Sequence, residues 1–270
     1  MALTLVKWAL ASAAIVTPGG VPAAGGQLVP ASVWVVNYGE TQCTAQRTFG
    51  QGDRALTLAL SPALDGASYE IIISEADGPA QLPEQIMGKA NFGDRSVKSW
   101  ALRYRDPASG SQVHRFQVPA NLVAVTAASG DIAFGASAYR AHFQNTNLVG
   151  ALSALDTCLK DLRTYWNAAS SARSTAASAR DNVEALLRPA NHVDSDMWGG
   201  VKGTARYVLY IDPAGRLAGC DAMSADASPI LGVLGCDILR QRGQFAPALD
   251  KDGKPVRDVI VTSQVRWKFG

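Results

Sequence analysis

The apolar residues of this chain change their period after Phe143, and that change constrains the fold more than any other feature. Before it, Ser32–Tyr38, Gln42–Phe49, Ala55–Leu60, Tyr69–Ser74, Val97–Tyr104 and Val113–Val118 are short runs of β-forming residues. Gly39, Gly52-Asp53, Asp65-Gly66, Asp77-Gly78, Asp106-Pro107 and Gly110 punctuate them with turn chemistry, so each run reads as a strand. Short strands spaced this evenly predict an all-β domain, sandwich-like or barrel-like, without fixing the order of its strands. After it, Leu148, Leu152, Leu155, Leu159, Leu162 and Trp166 recur at alternating steps of four and three, which draws one apolar stripe along a helix. The expectation is a β-rich domain over residues 30–166 that ends in a helix packed against its own strands.

Four cysteines, Cys43, Cys158, Cys220 and Cys236, add a second constraint. Whether they pair depends on compartment, because disulfides persist in oxidising surroundings. Residues 1–24 place Lys7 ahead of the apolar run Trp8–Val16 and end in small residues around Val21-Pro22-Ala23-Ala24, the pattern of a cleavable export signal. The run is about half of the roughly 20 residues a membrane span needs. An exported, periplasmic chain is expected, and its cysteines then form two bridges. Spacing alone leaves three connectivities open. Cys158 borders the leucine stripe and is expected to face the β domain.

Residues 167–200 begin as an Ala/Ser-rich stretch with Arg173 and Arg180 and continue through Asn191-His192-Val193-Asp194-Ser195-Asp196. We read them as a connector between two domains. Residues 201–270 then give a hairpin, a helix and a strand. Thr204–Ile211 and Arg216–Asp221 flank the turn Asp212-Pro213-Ala214-Gly215. Ser228 can cap the helix, Pro229 suits its first turn and Gly243 can close it. Gly232 and Gly235 inside it cost about 1 kcal/mol each relative to alanine, so this helix must depend on packing. From Val261 onward the last strand alternates: Val261, Val265, Trp267 and Phe269 are expected to face the helix carrying Leu234 and Ile238, and Thr262, Gln264, Arg266 and Lys268 to face water.

That order, with Tyr210-Ile211-Asp212-Pro213-Ala214-Gly215-Arg216 at the turn, resembles the C-terminal domain of the TonB family. So do Arg242-Gly243-Gln244-Phe245-Ala246-Pro247-Ala248 and Gly253-Lys254-Pro255-Val256 ahead of the valine-rich strand. The resemblance covers about a quarter of the chain. It implies an α+β fold for this part, and Cys220 on the second strand with Cys236 on the helix is similar to family variants whose helix is tied to the sheet; with one bridge inside each proposed domain, the expected pairs are Cys43–Cys158 and Cys220–Cys236. It also implies a protein or peptide partner in the cell envelope, such as an outer-membrane receptor, added as a strand along Val259, Val261, Thr262, Gln264, Arg266 and Lys268. Two competing readings are a homodimer through that strand and a TonB-type energy transducer anchored by an uncleaved N-terminus. The family's departures here are Ser224-Ala225-Asp226-Ala227 and Ile230-Leu231-Gly232 in place of its usual turn, no histidine before His114, and no Pro-rich spacer.

Other function classes find little support. A net charge of +2 from 25 basic and 23 acidic residues gives no global attraction for nucleic acid. His114, His142 and His192 lack ligand spacing and there is no C-x-x-C, so no metal and no cofactor are expected. No nucleophile elbow, P-loop or dinucleotide fingerprint is present, and Ser224, Asp226 and His142 are scattered, so no catalytic residue is assigned. Trp34 and Trp100 are expected in the core.

Overall fold

A computed structural model describes residues 26–76, 83–128, 130–144, 146–168, 173–187, 202–223 and 229–268. The expected export signal, the Ser228 cap and Phe269 lie outside the described residues. The first part folds as strands β1 (Val35–Tyr38), β2 (Cys43–Phe49), β3 (Leu56–Pro62), β4 (Ser68–Glu75), β5 (Glu84–Phe92), β6 (Arg95–Arg105) and β7 (Gln112–Pro119). Helix α1 (Ala120–Val125), strands β8 (Ile132–Ala136) and β9 (Tyr139–Phe143) and helix α2 (Val149–Tyr165) follow.

These strands make one antiparallel sheet in the order β1-β2-β3-β4-β7-β6-β5-β8-β9, nearer to the barrel-like than to the sandwich-like form of the expectation. The sheet curls far enough for the segment around Leu28 to bridge its ends. Leu28 bonds to β9 through the His142 carbonyl, at 2.7 Å, and Ala31 bonds to β2 through the Thr48 carbonyl, at 2.9 Å. These bridges cover part of the edge that a long antiparallel sheet must otherwise protect. Alternate residues point inward, and Phe49, Phe92, Phe116, Phe134 and Phe143 fill the interior, with Phe49 5.0 Å from Phe143 and Phe116 4.5 Å from Phe134.

The leucine stripe forms as read. Leu155, Leu159 and Leu162 of α2 are buried against β1, β2 and β3, and Cys158 is bonded to Cys43 at the start of β2. Trp34 packs on this core and donates its indole N–H to the Thr146 carbonyl at 2.8 Å. Trp100 does not join the core. It lies on the outer face of the curled sheet, opposite Met87, and is 42% exposed, because strand alternation turns it away from Ala101.

The remaining elements are β10 (Arg173–Thr175), β11 (Ser178–Ala179), α3 (Val183–Leu186), β12 (Lys202–Ala205), β13 (Tyr207–Ile211), β14 (Leu217–Ala222), α4 (Pro229–Arg242), β15 (Phe245–Ala246), β16 (Ala248–Asp250), β17 (Pro255–Val256), β18 (Asp258–Val261) and β19 (Val265–Lys268). The expected α+β arrangement is present: β14, β13 and β18 form an antiparallel sheet in that order, and α4 packs on it. All five residues of β13 are buried, since both faces of this sheet are covered. Tyr207, Leu209 and Ile211 face α4, while Val208 and Tyr210 join the core of the first part, Tyr210 lying 5.2 Å from Trp166.

The glycines of α4 are explained by that packing. A Cβ at Gly235 would stand 2.3 Å from the Tyr207 ring, and the Tyr207 hydroxyl donates to the Leu231 carbonyl at 2.7 Å. The second disulfide, Cys220–Cys236, ties the same helix to β14. Part of the stretch read as a connector is built into this unit: β10 pairs with β16 and β11 with β15. The Asp258 carboxylate, fully buried, accepts from Arg173 at 2.6 Å and from the Ala177 N–H at 2.9 Å.

Candidate functional site

Backbone alternation decides which sheet edges can accept a partner. The Met223 N–H donates to the Arg206 carbonyl at 2.8 Å, and Asp221 and Gly219 pair with Val208 and Tyr210. Peptide groups at 219, 221 and 223 therefore turn toward β13, and those at Cys220 and Ala222 turn outward. The Ala222 carbonyl accepts from Gln117 Nε2 at 2.8 Å. The Cys220 N–H and C=O and the Ala222 N–H have no partner among the described residues.

This edge opens into a cavity of about 360 Å³ between the two units. One wall is the outer face of the curled sheet, with Ser68 and Glu70 on β4 and Arg115 and Gln117 on β7. Another is α4, with Gly232, Val233, Asp237 and Arg240, and Thr41 and Gln42 close one end. Thr41 approaches so closely that a Cβ at Gly219 would stand 2.6 Å from its methyl group.

The walls are charged. Arg115 donates through Nε and Nη2 to one oxygen of Glu70, at 2.9 and 2.6 Å. Burial works against the guanidinium charge, but the adjoining Glu70 carboxylate and the Tyr104 hydroxyl together outweigh it and raise the Arg115 pKa. Arg240 pairs with Asp237 at 2.8 Å. Among the described residues Asp221 has no ion pair, and it shares a hydrogen bond with the Tyr210 hydroxyl. Burial, reinforced by the negative charge of Glu70, pushes its carboxyl up to about 6, while Tyr210, Arg115 and Arg240 pull it back. Desolvation and a like charge are the two ordinary causes of a raised carboxyl pKa.

The residues read from sequence as a strand-binding surface are placed differently. Val259 and Val261 lie on β18, and the Thr262 N–H bond to the Tyr207 carbonyl, 2.9 Å, sets their peptide groups outward. Thr262 and Gln264 belong to no strand, because the chain bends between β18 and β19. The burial pattern inverts at that bend: Val261 is 44% exposed and Thr262 is buried, its hydroxyl accepting the Tyr207 N–H at 3.0 Å. Gln264 donates to the Thr204 hydroxyl at 2.8 Å. Val265 and Trp267 are buried as expected, Arg266 is exposed, and the Lys268 backbone pairs with Lys202. The start of β18 is covered, through Asp258 and through Asn167, which donates to the Arg257 carbonyl at 2.7 Å. Sequence reasoning passed over the cleft residues Glu70, Arg115, Gln117, Asp221 and Arg240. Nothing local marks them, since they come from β4, β7, β14 and α4.

A second polar group lies inside the curled sheet. His114 is 1% exposed, stacks on Tyr139 at 3.9 Å, and neither ring nitrogen has a hydrogen-bond partner among the described residues. Its burial excludes it as a surface for a macromolecule. Among the described residues, no cluster of His, Cys, Asp and Glu could hold a metal ion and no helix is long and apolar enough to cross a membrane. The two disulfides fit an oxidising compartment. No family model, curated protein or solved structure matches the chain.

Proposed function

We propose that the protein is an exported, periplasmic interaction module that takes up an extended segment of a cell-envelope partner by strand addition along β14. The observation that carries this reading is the outward-facing backbone of Cys220 and Ala222 beside a cavity with polar walls. Main-chain hydrogen bonds to such an edge supply affinity, and the flanking walls supply selectivity. The resemblance of residues 201–270 to the TonB family's C-terminal domain belongs to the same proposal. The hairpin, packed helix and antiparallel return strand support it, although the edge beside the cavity is β14, whereas the sequence pointed to the terminal strand.

The test uses peptides selected from a phage-displayed random heptapeptide library panned on the intact protein. Ala222→Pro deletes the outward N–H while leaving the β13 pairing intact, and should abolish binding measured by fluorescence anisotropy. Ala222→Ser should bind normally, and so should Val261→Pro on the β18 edge. Equal binding by Ala222→Pro and the wild type, with circular dichroism unchanged, rules out β14.

A further inference from the structure

We infer that the peptide bound along β14 carries a lysine or arginine whose side chain meets Asp221 on the side of the strand facing the curled sheet. The inference rests on the strand-addition reading above and states what the cleft selects. The charge inventory motivates it. Glu70 is held by Arg115 at 2.6 Å and Asp237 by Arg240 at 2.8 Å. Asp221 is the one carboxylate in the cleft lining without an ion pair, so the walls carry one uncompensated negative charge among the described residues.

The groups around Asp221 come from every element packed against it. They are Glu70 on β4, Arg115 on β7, Tyr210 on β13, and Arg240 with Asp237 on α4. Tyr210 is uncharged and its pKa is raised further by burial and by Asp221. Both arginines are already engaged with other carboxylates, so the cation that completes the set must come from outside. A carboxylate partly removed from water, as Asp221 is, is less well solvated than an exposed one, which makes a cationic ligand more favourable here than at an exposed aspartate.

Strand geometry fixes where the cation sits. The peptide residue opposite Asp221 shares its face, with Cβ atoms about 4.5–5.5 Å apart. The next peptide residue, opposite Cys220, turns to the other face. There Gly232, Val233 and the Cys220–Cys236 bridge line the wall, a surface that suits a small or apolar side chain. The selected pattern is therefore a basic residue beside a small one.

The experiment takes a peptide recovered in the panning and compares it with a synthetic version in which the basic residue is norleucine, by titration calorimetry at pH 7.5. Norleucine should weaken binding about 10- to 30-fold, as for loss of one partner of a partly buried charge pair. Asp221→Asn should weaken the native peptide by the same factor. Applied together, the two changes should cost no more than either alone. Lowering the pH from 7.5 to 5 should weaken the native peptide and leave the norleucine peptide unchanged, because Asp221 takes up its proton near pH 6. Asparagine keeps the size of aspartate and one oxygen that can accept a hydrogen bond, and a circular dichroism spectrum that matches the wild type confirms the fold. If Ala222→Pro abolishes binding but lysine and norleucine peptides bind alike, the charge inference is overturned and strand addition stands. If Ala222→Pro binds normally, strand addition fails and the inference fails with it.

Discussion

Replacing His114 with phenylalanine should make the protein resistant to acid. The imidazole is 1% exposed and stacked on Tyr139, with an interplanar angle of 22°. Burial, assisted by the charge of Arg103, depresses its pKa to about 4 from the usual 6.5. Below pH 6.5 the unfolded chain takes up a proton that the folded chain refuses until about pH 4. Stability is therefore complete above pH 6.5 and is lost as the pH falls toward 4. At 1.36 kcal/mol per unit, the whole difference corresponds to about 3 kcal/mol, of which about 2.5 kcal/mol is already lost at pH 4.5. Phenylalanine keeps a ring against Tyr139 and removes both unpartnered nitrogens, each of which carries a desolvation penalty on the order of 1–3 kcal/mol. The variant should match or exceed wild-type stability at pH 7.5. Urea unfolding with disulfides intact, at pH 7.5 and 4.5, should show its advantage growing by about 2.5 kcal/mol. Asp221 and Glu75 titrate as well, both with raised pKa values, but they are present in both proteins and cancel in the difference. A wild-type to variant gap that is the same at both pH values would refute the assignment of His114 as a neutral buried ring.

Four further outcomes are expected. Asp258→Ala leaves the Arg173 guanidinium with the Asn167 carbonyl and with partial exposure to water, takes the acceptor from the Ala177 N–H, and should destabilise by about 3 kcal/mol, the lower end for removing one partner of a buried pair, readable as a shift in urea midpoint. Gly235→Ala gains about 1 kcal/mol of helix propensity but drives a methyl group into the Tyr207 ring, so thermal melts should show a net loss of about 1–2 kcal/mol. Removing the Cys43–Cys158 bridge, which spans 115 residues, should cost more than removing Cys220–Cys236, which spans 16: about 5 against about 3 kcal/mol from chain entropy, measured by denaturant titration of serine pairs. Asp221→Asn should raise stability at pH 7.5 by about 1–2 kcal/mol after allowance for its partial exposure. Its raised pKa gives a contribution that is full below the unfolded value and lost as pH rises through about 6, so the gain should vanish near pH 4.

What the sequence disclosed follows the range over which each cause acts. The α2 stripe, the Asp212–Gly215 turn and the end of α4 at Gly243 are decided within a few residues, and they were readable. At the turn, the Gly215 N–H donates to the Asp212 carbonyl at 2.9 Å, and the Gly243 N–H closes α4 on the Leu239 carbonyl at 2.9 Å. The choice between a sandwich and a single curled sheet was not readable, because the curl brings Leu28 to Phe143, 115 residues away. Alternation within a strand is the same in a sandwich and in a curled sheet. The inversion at Val261 and Thr262 has a similar origin: an alternating pattern implies one continuous strand, whereas the Thr262 hydroxyl takes a backbone N–H and bends the chain.

The cleft is the furthest from local causes, and its energetics explain why it looks unremarkable in sequence. Asp221 sits in a strand whose other side chains are apolar or small, a placement that costs stability, since burial and Glu70 both oppose its charge. A stability optimum would place a neutral residue there. An aspartate held at a cost, next to backbone groups left without partners and in a cavity whose other carboxylates are already matched, is the kind of local conflict that binding sites retain. The same substitution thus separates the two roles: Asp221→Asn should strengthen the fold above pH 6 and weaken cationic peptides. A variant that moved both quantities in the same direction would indicate that Asp221 serves the packing between the units and has no part in selecting a ligand.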